Sequence, residues 1–184
     1  MESLENHLLI AMPALKDSYF DKTVTYICEH NDEGAMGLII NLPVHVTVNE
    51  LLSQLEEDIP PTSDLTQLVL TGGPVSTDRG FVLHSPQSGW SSSLALSDDV
   101  MITTSKDILI AIGSDNAPEQ YMITLGYAGW GPGQLEQEIQ ANSWLTAPSD
   151  NDILFNTPIE QRWQKAAEKL GVNIAHLSAD IGHA

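Results

Sequence analysis

At 184 residues, with 42% hydrophobic and 17% charged side chains, the chain is long and apolar enough to bury a real core, which excludes a disordered tail or linker. Its 25 Asp and Glu against seven Lys and Arg give a formal net charge of -18, a balance that repels both phosphate backbones and anionic bilayers. The single cysteine, Cys28, excludes an internal disulfide.

The first residues, MESLENHLLIAMPALKDS, carry Glu2 and Glu5 where an export signal places Lys or Arg, and the apolar run is broken at Pro13 and Lys16. No stretch approaches the ~20 apolar residues of a membrane helix. The expectation is a cytoplasmic protein of one domain spanning residues 1–184.

His7 to Met12 reads as a strand stopped by Pro13. KTVTYICEH, from Lys22 to His30, is rich in β-branched and aromatic residues. Its alternation sets Val24, Tyr26 and Cys28 against Thr25, Ile27 and Glu29. The turn Asn31-Asp32-Glu33-Gly34 returns the chain as AMGLIIN, the second arm of a hairpin. Thr47-Val48-Asn49-Glu50 is a capping box opening a helix with the stripe Val48, Leu51, Leu52 and Leu55. The proline-containing stretch 58–64 is loop. Gln67–Thr71 and Gly80–His84 read as strands around the turn Gly72-Gly73-Pro74.

Ser91–Leu96 and Val100–Thr103 are weaker strands, and Ser105 caps a helix that runs to Ile112 and ends at Gly113. Tyr121–Gly129 is a strand and Gln134–Asn142 a helix. Thr157-Pro158-Ile159-Glu160 is a second capping box, before a helix that buries Ile159, Trp163, Ala166 and Leu170 and ends at Gly171. Elements that interleave without strict alternation predict an α+β fold with a mixed sheet.

Three clusters carry candidate chemistry. The turn Gly129-Trp130-Gly131-Pro132-Gly133 feeds a helix, as phosphate-binding loops do. It lacks the Gly-x-Gly-x-x-Gly and Gly-Lys-Ser/Thr spacings, Pro132 removes a donor, and Glu136 already faces the positive helix end. It reads as a structural turn with Trp130 in the core. Beside Gly72 and Gly73, Arg79 is either an anion anchor or, the favoured reading, the ion-pair partner of Asp78 or another carboxylate. In Cys28-Glu29-His30, strand alternation puts the thiol and imidazole on one face, where the ring can activate the sulfur. A lone cysteine among apolar residues more often stays buried and inert.

The six histidines, His7, His30, His45, His84, His176 and His183, show no metal-ligand spacing, so no metal or other cofactor is expected. Arg162, Lys165 and Lys169 read as a solvated face of the last helix.

The segments LLIAMPALKDSYFDKTVTYICEHNDEGAMGLIINLP, VLTGGPVSTDRGFVLH, LGYAGWGPGQLEQEIQANSWL and ILFNTPIEQRW, the last followed by AAEKLGVNIAHLSADIGHA, resemble four blocks of the bacterial YqgE/AlgH family. The resemblance covers essentially the whole chain. It implies a single compact α+β domain with a bent or bifurcated sheet approaching a pseudo-barrel, flanked by helices. It brings no established catalytic residues. One branch, named for an effect on alginate production, is often labelled a transcriptional regulator, yet no helix-turn-helix is present here.

The expectation is a non-enzymatic protein that binds a protein or small-molecule partner, with an indirect regulatory role and no direct contact with nucleic acid or membrane. The alternative is an enzyme whose site assembles around Cys28, His30, Arg79 and His84. Glu29, Gly72, Gly73, Gly129, Trp130 and Gly131 complete the candidate ligand or partner positions.

Overall fold

Three glycines, Gly72, Gly73 and Gly126, decide how the backbone is routed. The computed structural model describes residues 2–12, 20–55, 67–112, 114 and 116–171. The readings placed on Pro13, Lys16, the Leu55 side chain, the stretch 58–64, Gly113 and the closing segment with His176 and His183 lie outside the described residues. Among the described residues, ten strands form one sheet: β1 (His7–Ala11), β2 (Val24–Asn31), β3 (Gly34–Ile39), β4 (Pro43–Thr47), β5 (Leu68–Thr71), β6 (Val75–His84), β7 (Ser93–Ala95), β8 (Met101–Thr103), β9 (Tyr121–Trp130) and β10 (Trp144–Pro148). The main path runs β10-β1-β2-β3-β9-β6-β8-β7, with β4 and β5 branching from it. All pairs are antiparallel except β5 with β9, so the sheet is mixed. It curls into a half-barrel, and with α1 (Val48–Leu55), α2 (Lys106–Ile112), α3 (Gln134–Gln140) and α4 (Arg162–Lys169) the fold is α+β.

The branch lies on β9. Thr124 and Leu125 pair with β5, whereas Ala128, Gly129 and Trp130 pair with β3, and β6 runs along the other edge. Gly72 joins the three strands: its N–H donates to Leu125 O at 2.8 Å, and its carbonyl accepts the Ile39 N–H at 2.8 Å. The backbones press together there. A Cβ on Gly73 would sit 2.0 Å from the Tyr127 carbonyl carbon, and one on Gly72 would sit 2.4 Å from Gly126 O. Gly126 itself has φ 79°, left-handed backbone that a side chain strains.

Period-two alternation sorts the core into two faces. Leu8, Tyr26, Phe81, Leu83 and Met122 face one way, covered by Ile153, Leu154, Ala166 and Ala167 from the chain around α4. Leu9, Ile27, Trp130 and Trp144 face the other way beneath Leu135 of α3, and Val69, Val82 and Ile123 lie beneath α1 and α2.

Several local expectations are corrected. Strands β4 and β10 form where no strand was predicted, and β6 begins at Val75 rather than Gly80. Thr47 caps α1, its oxygen accepting the Glu50 N–H at 3.1 Å. The second capping box does not form: the Thr157 hydroxyl donates to Asp152 O at 2.8 Å, closing a π-helical turn at Asp152–Asn156. Ser105 accepts the Ser92 N–H instead of capping α2. Leu170 is exposed rather than buried, because α4 ends at Lys169.

The strand crossing gives a direct test. Gly73→Ala forces a methyl into the Tyr127 backbone and should cost more than ~3 kcal/mol. Gly80→Ala, with its nearest neighbour 4.0 Å away, should stay within ~1 kcal/mol of wild type or stabilise slightly. Denaturant unfolding of both variants checks the contrast.

Candidate functional site

A concavity with a volume of about 920 Å³ opens on the Phe81 face of the half-barrel. Its apolar floor is Met36, Phe81, Leu96, Ile102 and Tyr127, and its polar rim includes Glu5, Glu29, Arg79, Ser92 and Thr104. Strand β7 forms one lip and, among the described residues, pairs only with β8. Thr104 N–H bonds Ser92 O, and Leu96 N–H bonds Val100 O. Antiparallel alternation therefore turns the peptide groups of Ser93 and Ala95 outward. Leu94, across from Ile102, is 62% exposed at the same lip.

Of the predicted residues, Cys28, Glu29 and Arg79 reach this groove. Arg79 does not pair with Asp78. Its guanidinium lies over the Phe81 ring, 5.2 Å from the centroid, and Phe81 meets Tyr127 edge-on at 6.0 Å. This cation–π stack corrects the expected ion pair. The Cys28 thiol is buried, and burial pushes it up to about 12, so it stays protonated at neutral pH.

His30 is not beside it. The β2–β3 register shifts between Ile27 and Glu29, a bulge at Cys28, and one extra residue turns the following side chain to the opposite face. The imidazole is buried against α3. Leu4 N–H donates to Nδ1 at 2.9 Å, which leaves the proton on Nε2 for Glu136 Oε1. Both ring nitrogens are occupied in tying the N-terminal segment to α3.

His84 lies apart from both, fully buried on the Val82 face. Its Nδ1–H donates to Ser85 O at 2.8 Å. Nε2 accepts from the Thr103 hydroxyl at 2.7 Å, and Thr103 Oγ1 accepts from Ser93 at 2.8 Å. Burial lowers its pKa. Cys28, His30, Arg79 and His84 therefore do not converge, and the alternative enzyme site loses its geometry. Among the described residues, no three His, Cys, Asp or Glu side chains gather as metal ligands.

The glycine turn is exposed at Gly129, Gly131 and Pro132, and only its tryptophan enters the core. Gly131 N–H donates to Gln134 Oε1 at 3.0 Å, and a Cβ added at Gly129 or Gly131 would meet nothing closer than 3.6 Å. Between them, Trp130 is 7% exposed and meets Trp144 edge-on at 6.3 Å. Both indoles donate to Glu138 Oε1, at 3.0 and 2.9 Å, while Gln134 donates to Oε2 at 2.9 Å. One carboxylate on α3 thus clamps β9 and β10. Gly72 and Gly73 belong to the strand crossing, outside the groove.

Sequence reasoning misplaced Arg162. The residue is buried at 7% exposure, not on a solvated helix face, and it lines a second cavity of about 470 Å³. The signal was present: Arg162 stands three residues after Ile159 and four before Ala166, on the apolar stripe of its helix.

Two measurements follow. Trp130→Ala should lower unfolding free energy by ~3–5 kcal/mol, because it opens a core cavity and strips one donor from Glu138. A near-native urea midpoint with unchanged slope contradicts the core assignment. For His84, the folded pKa is below its ordinary value near 6.5, so the unfolded chain binds the proton more readily. Its contribution is present above that value and is lost as pH falls from there toward the folded pKa, at up to about 1.4 kcal/mol per pH unit. His84→Gln should flatten the acid side of the stability profile.

The comparisons with known proteins agree with this architecture. The family described as AlgH-like matches residues 8–175. A UPF0301 protein of Colwellia psychrerythraea is 63% identical, and one of Pseudoalteromonas translucida is 58% identical, each with 100% of both chains covered. The solution structure of the AlgH protein from Pseudomonas aeruginosa is 47% identical and superposes with a TM-score of 0.80, covering 97% of this chain and 96% of that one. A Corynebacterium diphtheriae crystal structure shares the fold at 20% identity, with a TM-score of 0.71 over 92% of this chain and 88% of its own. With the half-barrel, the strand crossing and the clamped indoles accounted for, the chain belongs to the AlgH-like family.

Proposed function

We propose that this chain is a non-enzymatic binding protein whose half-barrel groove takes an extended segment of a protein partner. The observation that carries this reading is the junction of an apolar trough with an unpaired strand edge. The floor of Phe81, Tyr127, Met36 and Ile102 runs beside β7, whose outward peptide groups at Ser93 and Ala95 have the geometry to extend a ladder. A segment added there gains main-chain hydrogen bonds at the edge, and every second side chain enters the trough. Leu94 at 62% exposure lies where such a segment would cover it.

Charge narrows the partner. The field of a -18 chain, with Glu5 and Glu29 at the rim, favours a segment carrying Lys or Arg beside its apolar residues. Any regulatory consequence then comes from occupancy of the groove, not from DNA contact, because seven basic residues offer too few phosphate contacts. The protonated thiol and the fully engaged imidazoles support a binding role over a nucleophilic one.

The test is site-specific. A photo-crosslinker at position 94 in cells, compared with one at Ile110 on α2, should yield a distinct adduct. The crosslinked segment is then titrated as a synthetic peptide. Ala95→Pro removes an edge N–H and Leu94→Lys puts a charge on the lip; each should weaken the peptide tenfold or more. Equal affinity for wild type and both variants refutes the groove reading.

A further inference from the structure

Arg162 presents a chemical problem that its surroundings solve only in part. Its Nε–H donates to Thr157 O at 3.0 Å and Nη1 donates to Ile40 O, which anchors the turn before α4 to the end of β3. A guanidinium has five N–H donors and a full positive charge. Both partners are neutral carbonyls. No Asp or Glu among the described residues forms an ion pair with it. Burial lowers its pKa to about 10, so it is still cationic at neutral pH. A buried cation with no carboxylate in contact is costly, and among 25 acidic residues it is Glu160 that acts on it, through space rather than by an ion pair.

Arg162 also borders the cavity of about 470 Å³ between β5, β9 and the turn preceding α4. Leu70, Met122, Phe155 and Ile159 give part of its wall an apolar surface, and Gln67, Gln120, Tyr121, Asn156 and Thr157 line much of the rest. Glu119 and Glu160 also border it and are exposed, so they sit where solvent screens them. A cation beside the apolar patch of Leu70, Met122, Phe155 and Ile159 suits an anion of low charge with a short apolar body. The two glutamates oppose a phosphate dianion more strongly than a monoanion, while a planar fork matches a carboxylate.

We infer that this cavity is a binding site for a monocarboxylate with a short apolar tail, its carboxylate on Arg162. The chemistry is shared by a free organic acid and by a peptide C-terminus. The site lies apart from the β7 groove and does not depend on the reading given to that groove.

The experiment is an amide and Arg side-chain NMR titration of the full chain with sodium hexanoate. Hexanamide serves as the neutral counterpart, inorganic phosphate as the dianion-rich control, and N-acetyl-glycyl-leucine as the C-terminal mimic. Saturable shifts at Leu70, Met122, Phe155 and the Arg162 Nε–H are expected with hexanoate, and at least tenfold weaker binding with hexanamide and with phosphate. The tighter of hexanoate and the dipeptide identifies the source of the carboxylate. Arg162→Gln should abolish the shifts while the spectrum remains dispersed. Because that variant also loses two carbonyl bonds, Glu160→Gln provides a second reading: removal of an exposed like charge should tighten hexanoate about 2- to 3-fold. Absence of saturation with hexanoate overturns the site. So does equal affinity for hexanamide, unchanged affinity in folded Arg162→Gln, or no tightening in Glu160→Gln.

Discussion

The backbone contact between Gly72–Gly73 and Gly126–Tyr127 is the constraint on which the rest of the architecture rests. Two strands normally lie about 4.8 Å apart and keep room for side chains on both faces. Here the end of β5 enters β9 so closely that a Cβ at Gly73 would fall 2.0 Å from backbone carbon. That approach lets Gly72 bond β9 and β3 at once, and β9 exchanges β5 for β3 as its neighbour. One edge of β9 therefore serves two directions, and the sheet curls instead of extending flat. The groove on the Phe81 face is the hollow left by that curl.

Within this frame, the direction of each side chain is set by register, and register explains why the titratable residues do no joint chemistry. A single bulge at Cys28 separates the thiol from His30, leaving one in the groove wall and the other against α3. His84 sits one strand system away and shares its nitrogens between a carbonyl and a hydroxyl. His30 and His84 each use both ring nitrogens, so each serves as a joint between elements. Buried polar groups that are satisfied in this way fix a unique arrangement.

Much of the fold was legible because it rests on local rules. The apolar run of β1, the alternation in β2, the strand from Tyr121, the turn at Asn31–Gly34 and the Thr47 cap all follow from neighbouring residues, and all are present. What the sequence concealed depends on distant partners. Strand β10 forms because β1 offers an edge to it, with no strong alternation of its own. Thr157-Pro158-Ile159-Glu160 has the spacing of a capping box, but the Thr157 hydroxyl is drawn to Asp152 O. The groove was invisible as such, since its walls come from β2, β3, β6, β7, β8 and β9, although Arg79 and Cys28 within it had been singled out. Arg162 was misread because charge was weighed before position on the helix.

The two arginines show how one residue type acquires opposite roles from its surroundings. Arg79 is exposed and lies on an aromatic face, where water screens its charge and the ring supplies a weak attraction. It can be covered by a partner at little cost. Arg162 is held by two carbonyls in a low-dielectric wall, where the same charge acts over a longer range and exposed Glu160 offsets it without contact. A chain with seven basic residues has placed one of them where hydration is lost and no carboxylate is in contact. Hydrogen bonds to carbonyls explain its orientation, since a lysine would not reach both with a planar fork. They do not neutralise its charge. That charge, beside a cavity whose wall is apolar in part, distinguishes a binding determinant from an arginine that only fastens a turn.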